Sequence, residues 1–313
     1  MHILFFADGA EGEQDALART ADIAAHLGAR VTVLDVVPSL GTNDVCLADS
    51  IKRLQTGLIE ERRDVLLAAI TDLPPTVDVK VHVVSGENNF STVIQYVMTQ
   101  GVSLLIKAAD KRNLLTATLF GSTDLQLIRK CPCAVWILKP GAPARIRHVL
   151  GAIDLTHDTD DSLALAGDII DTVQRVANTE GAQGHLITAW QPPIRPQIIN
   201  QDAQQDFQAY VDGYQAEITH RYQRIIRDDD SHIPGIEDLE ASILRGKPST
   251  MITRYVGNHE IDLLVMGSVT RTGIPGLIIG HTAERVLHQV DCSVLMLKPR
   301  GFVSPVTVEP DAD

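Results

Sequence analysis

Short apolar runs alternate along the chain with longer stretches whose apolar residues recur every three or four positions. ILFFA (3–7) is an unbroken apolar run that ends just before Asp8. Leu17, Ala21, Ala24 and Leu27 then follow at helical spacing, and Gly28 suits the helix end. VTVLDVV (31–37) is rich in β-branched residues and closed by Pro38, so it predicts a strand. Ile51, Leu54, Leu58, Val65 and Ala69 predict a second helix, stopped before Pro74 and Pro75. VDVKVHVV (77–84) alternates as a strand does, residues 91–99 read as helix and 103–108 as strand. Residues 122–129 read as helix and CAVWIL (133–138) as a last strand. Five strands interleaved with four helices imply α/β architecture with a doubly wound, five-stranded parallel sheet. Ligands of such sheets lie beyond the strand carboxyl ends, where strand order reverses.

The plan is written twice. LLIKAADKRNLLTATLFGSTDLQLIRKCPCAVWILKP (104–140) lies over LLVMGSVTRTGIPGLIIGHTAERVLHQVDCSVLMLKP (263–299) without a gap, and 10 of the 37 positions are identical. HILFFAD (2–8) parallels HVLGAID (148–154), and SGENNFSTVIQYV (85–97) parallels RGKPSTMITRYV (245–256). Matches kept in this order indicate an internal repeat. The expected organisation is two tandem domains, 1–141 and 146–300, with a tail over 301–313. The second copy carries a longer polar section at about 191–234, with PPIRP and an RDDD run.

Composition narrows the classes. With 44% apolar and 21% charged residues, the chain can build sizeable cores. Aromatic content of 4% suits aliphatic cores better than a base-stacking surface. Net charge is −13, of which residues 1–146 contribute −2 and residues 147–313 contribute −11. An acidic chain without a basic run argues against general nucleic-acid or anionic-membrane binding. MHILFFADGA reads as a first strand rather than a signal peptide, and no apolar run approaches the roughly 20 residues of a transmembrane helix. Four cysteines make no disulfide framework, so a cytoplasmic location is expected.

The order βαβαβαβαβ, an Asp at the end of strand one, a glycine turn after strand four and a last strand entered through Cys resemble the universal stress protein family. TGIPGLIIGHTAERVL (272–287) resembles its tandem, E-type members, which carry two such domains. The resemblance covers nearly the whole chain. ATP-binding members carry G-x2-G-x9-G-[S/T] in the turn after strand four. Glycine there lets backbone approach phosphate without a Cβ in the way. The last Gly and its neighbour open a helix, whose free N–H groups and positive dipole end favour an anion.

Copy two has Gly267, then Thr270 in place of the second Gly, then Gly280, His281 in place of Ser or Thr, and Thr282. Arg271 sits inside the turn, where a guanidinium can meet phosphate or turn to solvent. Copy one has Ala108, Lys111, Arg112, Gly121, Ser122 and Thr123. The resemblance thus implies a nucleotide site at Asp154, Gly267, Thr270, Arg271, Gly280, His281 and Thr282, for ATP with Mg. Weaker first-domain equivalents are Asp8, Ala108, Gly121, Ser122 and Thr123. It implies a cytoplasmic, regulatory stress-response protein without robust catalysis, acting through nucleotide or through regulatory protein partners. Family members pair through the last strand, which implies an intramolecular pseudo-dimer, with a homodimer as a further option. The alternative is a non-nucleotide adaptor, or a binder of a lipid or other apolar metabolite, using a degenerate pocket.

Other motifs carry less. DLTHDTDD (154–161) has the acids of a Mg²⁺ site, yet acids also favour the first turn of a helix, the commoner meaning. Cys131-Pro132-Cys133, and Cys292 with His281 and His288, suggest metal or redox chemistry, but buried thiols are the plainer reading. Walker A, G-x-S-x-G and a strand-following G-x-G-x-x-G are absent, so ATP hydrolysis is expected to be slow at most.

Overall fold

The computed structural model describes residues 1–41, 48–87, 89–110, 120–192, 201–227, 235, 238–268 and 280–307, with backbone only for 201–203 and 227. The first repeat runs β1 (His2–Phe6), α1 (Glu13–Leu27), β2 (Arg30–Pro38), α2 (Ala48–Ala69), β3 (Val79–Gly86), α3 (Asn89–Gln100), β4 (Leu104–Ala108), α4 (Ser122–Lys130) and β5 (Ala134–Leu138). The second runs β6 (His148–Ala152), α5 (Asp160–Glu180), β7 (Gln183–Trp190), α6 (Gln201–Arg227), β8 (Glu240–Arg245), α7 (Pro248–Asn258), β9 (Leu263–Gly267), α8 (His281–Leu287) and β10 (Ser293–Leu297). The alternating pattern therefore produces the expected tandem, doubly wound α/β fold.

Two compact units result. The first holds residues 1–144, 268–280 and 291–313, and the second holds 145–267 and 281–290. Strand order in the first is β3-β2-β1-β4-β5-β10. β1 pairs in parallel with β2 on one side and β4 on the other. Chain order reverses there, which opens a crevice at the carboxyl ends of β1 and β4. Both strands are buried along their whole length, as apolar runs covered by helices on two faces should be. β10 joins this unit antiparallel to β5, with Val294 opposite Ile137, Leu295 opposite Trp136 and Met296 opposite Val135.

In the second unit the order is β9-β6-β7-β8, and β6 sits at the switch point between parallel β7 and β9. At the amino ends of β6 and β7, His148 Nδ1 and His185 Nε2 lie 3.3 Å apart. His185 Nδ1 also shares a hydrogen bond of 3.2 Å with the Tyr255 hydroxyl, and the Tyr255 and His259 rings stack at 3.8 Å.

Helix ends follow local rules. Gly28 and Gly181 adopt left-handed φ of 58° and 63° and close α1 and α5. Thr159 caps α5 by accepting a bond from Ser162 N–H, and Asp160 and Asp161 occupy its first turn. The end of the acidic run, Asp160 and Asp161, is thus a helix start, while Asp158 pairs with Arg224 at 2.5 Å. α2 forms as expected, but its apolar stripe does not face the core. Leu66 is its one buried residue, while Leu54 is 61% exposed and Val65 50%. The cause is position: α2 packs against β3, an edge strand that is itself half-exposed.

Candidate functional site

Asp8 follows β1 and Lys107 lies inside β4, so the two neighbouring strands deliver both to the first unit's crevice. The Lys107 side chain is wholly buried, which is tolerable only with partners. It has three carboxylates. Its Nζ is 2.9 Å from Asp8 Oδ2, 2.5 Å from Asp110 Oδ1 and 2.9 Å from Asp124 Oδ1. It also donates to the Ala108 carbonyl at 2.9 Å.

Asp124 belongs to the first turn of α4 and is wholly buried. Its Oδ2 accepts from the N–H of Gly121 at 2.9 Å and of Asp110 at 3.0 Å. The helix start that the family motif reserves for phosphate is therefore capped from within. Gly121 leaves no spare space either: a Cβ there would collide with the Asp110 carboxyl. Asp110 lies where an anion would approach α4, and Lys107 neutralises it.

Among the described residues one cation faces three carboxyls, which leaves excess negative charge in a buried place. Burial pushes the carboxyls of Asp8 and Asp124 above the ordinary range; Lys107 opposes this, and Asp110 adds to it. Burial works to lower the Lys107 ammonium, but Asp124, Asp8 and Asp110 together raise it above its ordinary value. Asp8 Oδ1 is buried without a hydrogen-bond partner, while Oδ2 faces Lys107. Asp124 Oδ1 lies beside Lys107 without an aligned hydrogen bond.

Of the first-domain residues expected from the motif, Asp8 and Gly121 are in this cluster, and Ala108 gives it a carbonyl. Ser122 and Thr123 begin α4 beside it. Lys111 and Arg112 lie outside the described residues. Lys107, Asp110 and Asp124 were not singled out from the sequence. A lone Lys within the apolar run LLIKA was the available signal, since a strand buried on both faces has no solvent for it.

The second domain keeps the frame and loses the cluster. Under the repeat alignment, Met266 stands for Lys107, Val269 for Asp110 and Ala283 for Asp124, while Asp154 matches Asp8. Met266 and Ala283 are buried apolar residues. Asp154 is exposed, and its Oδ1 accepts from the Thr156 N–H at 2.9 Å and hydroxyl at 2.5 Å, which shapes the local turn. His281 and Thr282 are exposed at the start of α8, just after Gly280. Gly267 ends β9, and a Cβ added there would lie 2.5 Å from Leu165 Cδ2 of α5. Its lack of a side chain thus serves helix-to-strand packing. Thr270 and Arg271 lie outside the described residues.

Among the described residues no group of three His, Cys, Asp or Glu side chains is arranged to hold a metal ion. No described helix is long and apolar enough to cross a membrane.

A family model described as the universal stress protein family matches residues 1–139 and again 145–298. Universal stress protein E of Photorhabdus laumondii is 26% identical over 97% of this chain and 97% of its own. The protein of that name from Escherichia coli is 24% identical over 100% of this chain and 98% of its own. Among solved structures, a functionally unknown protein from Pseudomonas aeruginosa aligns with a TM-score of 0.69 at 23% identity, covering 95% of this chain and 92% of its own. A universal stress protein from Archaeoglobus fulgidus aligns at 0.59 and 16% identity, covering 95% and 98%. These two share the fold.

Proposed function

We propose a function from one premise: the chain belongs to the universal stress protein family. It is a stress-response protein of the tandem kind, like the E-type relatives it matches end to end. Its second domain binds an adenine nucleotide as a regulatory signal in the cytoplasm, and its first domain does not. What supports this is the contrast between the two strand-four turns. Lys107, Asp110 and Asp124 converge where the first begins and ends. The second replaces all three with apolar residues and leaves Asp154, His281 and Thr282 exposed.

In the second domain the N–H groups of Gly280, His281 and Thr282 would hold the end of the phosphate chain. Asp154 would face the nucleoside or a Mg²⁺ carried in with ATP, and Thr270 and Arg271 would border the phosphates. ATP with Mg²⁺ does not fit the first domain, where Asp110 and Asp124 put negative charge at the start of α4. Robust hydrolysis is not expected, because the sequence has no Walker lysine and no positioned general base is found among the described second-domain residues. Regulatory protein partners would read the bound state.

The test is titration calorimetry with ATP-Mg²⁺, joined to mass spectrometry of ligands carried by the purified protein. One nucleotide per chain is expected, weakened by Asp154→Asn and by Thr282→Val, both exposed positions. No heat at millimolar ATP-Mg²⁺ and no nucleotide recovered would overturn the proposal. Two nucleotides per chain would overturn the assignment of the first domain.

One observation favours a second reading. Met266 and Ala283, both buried, stand where the first repeat has Lys107 and Asp124, an apolar replacement that suits a lipid or other apolar metabolite better than a charged ligand. Recovery of such a molecule in the same mass spectra, without nucleotide, would select it.

A further inference from the structure

Cys131 and Cys133 flank Pro132 at the junction of α4 and β5. Cys131 ends the helix, with its N–H bonded to the Leu127 carbonyl at 2.9 Å. The two Sγ atoms are 3.4 Å apart, and both thiols are free. Cys131 is buried and Cys133 partly exposed. A third group completes the arrangement. The Lys298 ammonium donates to the carbonyls of Ile128 and Arg129, at the C-terminal end of α4, and lies 4.6 Å above the Phe302 ring. Burial holds Lys298 down at about 8, and the charge of the two thiols pulls it back up.

The second repeat lacks this site. Val290 stands for Cys131 and Asp291 for Pro132, so this junction holds one cysteine, Cys292, in place of two. Lys139, the counterpart of Lys298, meets the Asp291 carboxylate at 3.2 Å. In matched places, Lys139 finds a carboxylate, and Lys298 finds the carbonyls that end α4, next to Cys131 in the chain.

We propose that Cys131 and Cys133 form a reversible redox site, a dithiol that peroxides close into an intramolecular disulfide and that Lys298 activates. The thiols titrate as a pair. Burial works to raise the Cys131 thiol, but the hydrogen bond from Cys133 and the Lys298 charge bring it below the ordinary value. That same hydrogen bond, with burial, pushes Cys133 well up. One proton therefore leaves readily and the other is kept, giving S–H···S⁻ with the charge shared between the sulfurs.

The chemistry balances with a hydroperoxide as oxidant. The thiolate sulfur attacks the peroxide oxygen, the O–O bond breaks, and the departing alkoxide or hydroxide takes up the proton released from the pair. A sulfenic acid results. The second sulfur then attacks the sulfenic sulfur, the S–O bond breaks, and hydroxide leaves with the second thiol proton as water. Two thiols and one peroxide give one disulfide, one alcohol or water, and one further water. Closing the bond draws the sulfurs together by about 1.4 Å, given an S–S length near 2.05 Å.

The test uses the full chain, treated with hydrogen peroxide at neutral pH, alkylated and digested for mass spectrometry. The expected product is a peptide two hydrogens lighter, containing linked Cys131 and Cys133 and restored by dithiothreitol. Cys131→Ser and Cys133→Ser should each abolish it, and Cys292→Ser should leave it unchanged. Lys298→Met should slow closure by roughly tenfold at pH 7, the effect of one unit in thiol pKa, and shift the rate profile to higher pH. Lys298→Arg, which keeps the charge and protects against a merely structural effect, should retain most of the rate. Two free thiols persisting in folded protein under excess peroxide would overturn the proposal. So would closure seen only after denaturation, or at the same rate and pH profile in Lys298→Met.

Discussion

Replacing Lys107 with Met gives the first domain the residue that the second carries at position 266. The change removes the one cation that, among the described residues, faces Asp8, Asp110 and Asp124, of which Asp124 is wholly buried. Breaking a buried ion pair by deleting one partner costs about 3–5 kcal/mol, because the other charge stays behind. Total stability is only about 5–15 kcal/mol, so the first domain should come close to unfolding at pH 7. The loss should shrink in mild acid. Burial raises the folded-state pKa of Asp8 and Asp124, so the folded form binds protons more tightly than the unfolded one. Their stabilising contribution is therefore full below the ordinary value of 3.8 and is lost as pH climbs through the raised folded values. Without Lys107 that slope steepens. The chain has two tryptophans, Trp136 on β5 in the first unit and Trp190 on β7 in the second, both buried. Urea unfolding followed through Trp136 in a Trp190→Phe background reports the first unit. Adding Asp110→Val and Asp124→Ala, the second-domain residues, should recover most of the loss. A cost below about 1 kcal/mol at pH 7, against the buried-pair range, would refute the coupled cluster. So would an unchanged pH profile, or a triple variant no better than Lys107→Met.

Three further outcomes are expected. Gly267→Ala places a methyl 2.5 Å from Leu165 Cδ2 and should destabilise the second unit by about 1–3 kcal/mol, read by urea unfolding through Trp190 and relieved in a Leu165→Ala background. His281→Ser restores the hydroxyl of the family motif and should tighten ATP-Mg²⁺ binding up to about tenfold, near 1.4 kcal/mol; unchanged calorimetric affinity would count against phosphate at the start of α8. Burial lowers the folded pKa of His185, against the opposing pull of Glu240, so its stabilising contribution is present above the ordinary 6.5 and is lost as pH falls through the folded value. The Trp190 urea midpoint should therefore drop in mild acid, and His185→Gln should flatten that drop.

Periodicity carried most of the fold. Strands buried on both faces write themselves as ILFFA and LLIKA, and Gly28 closes its helix for a backbone reason visible locally. The α2 stripe misled, because Leu54 and Val65 obey helical spacing while the sheet beneath them offers only an edge. At the crevice, Asp8 and Gly121 were legible from their places at a strand end and a helix start. Lys107, Asp110 and Asp124 were not, because their meaning lies in convergence across three segments. Gly267 shows the same limit from the other side. Its position fits a phosphate turn, but the neighbour that a side chain there would meet is Leu165, about a hundred residues earlier.

β10 also has a bearing on how the chain is made. The first compact unit takes in residues 293–297, paired against β5, whose last residue is Leu138. At a synthesis rate of about 5–20 residues per second, roughly 8–32 seconds separate the emergence of the two strands from the ribosome. Through that interval the nascent first repeat carries Val135, Trp136 and Ile137 on an edge whose partner has yet to be translated. Pausing late in the message, or truncation before Ser293, would therefore harm the half of the protein that was synthesised first.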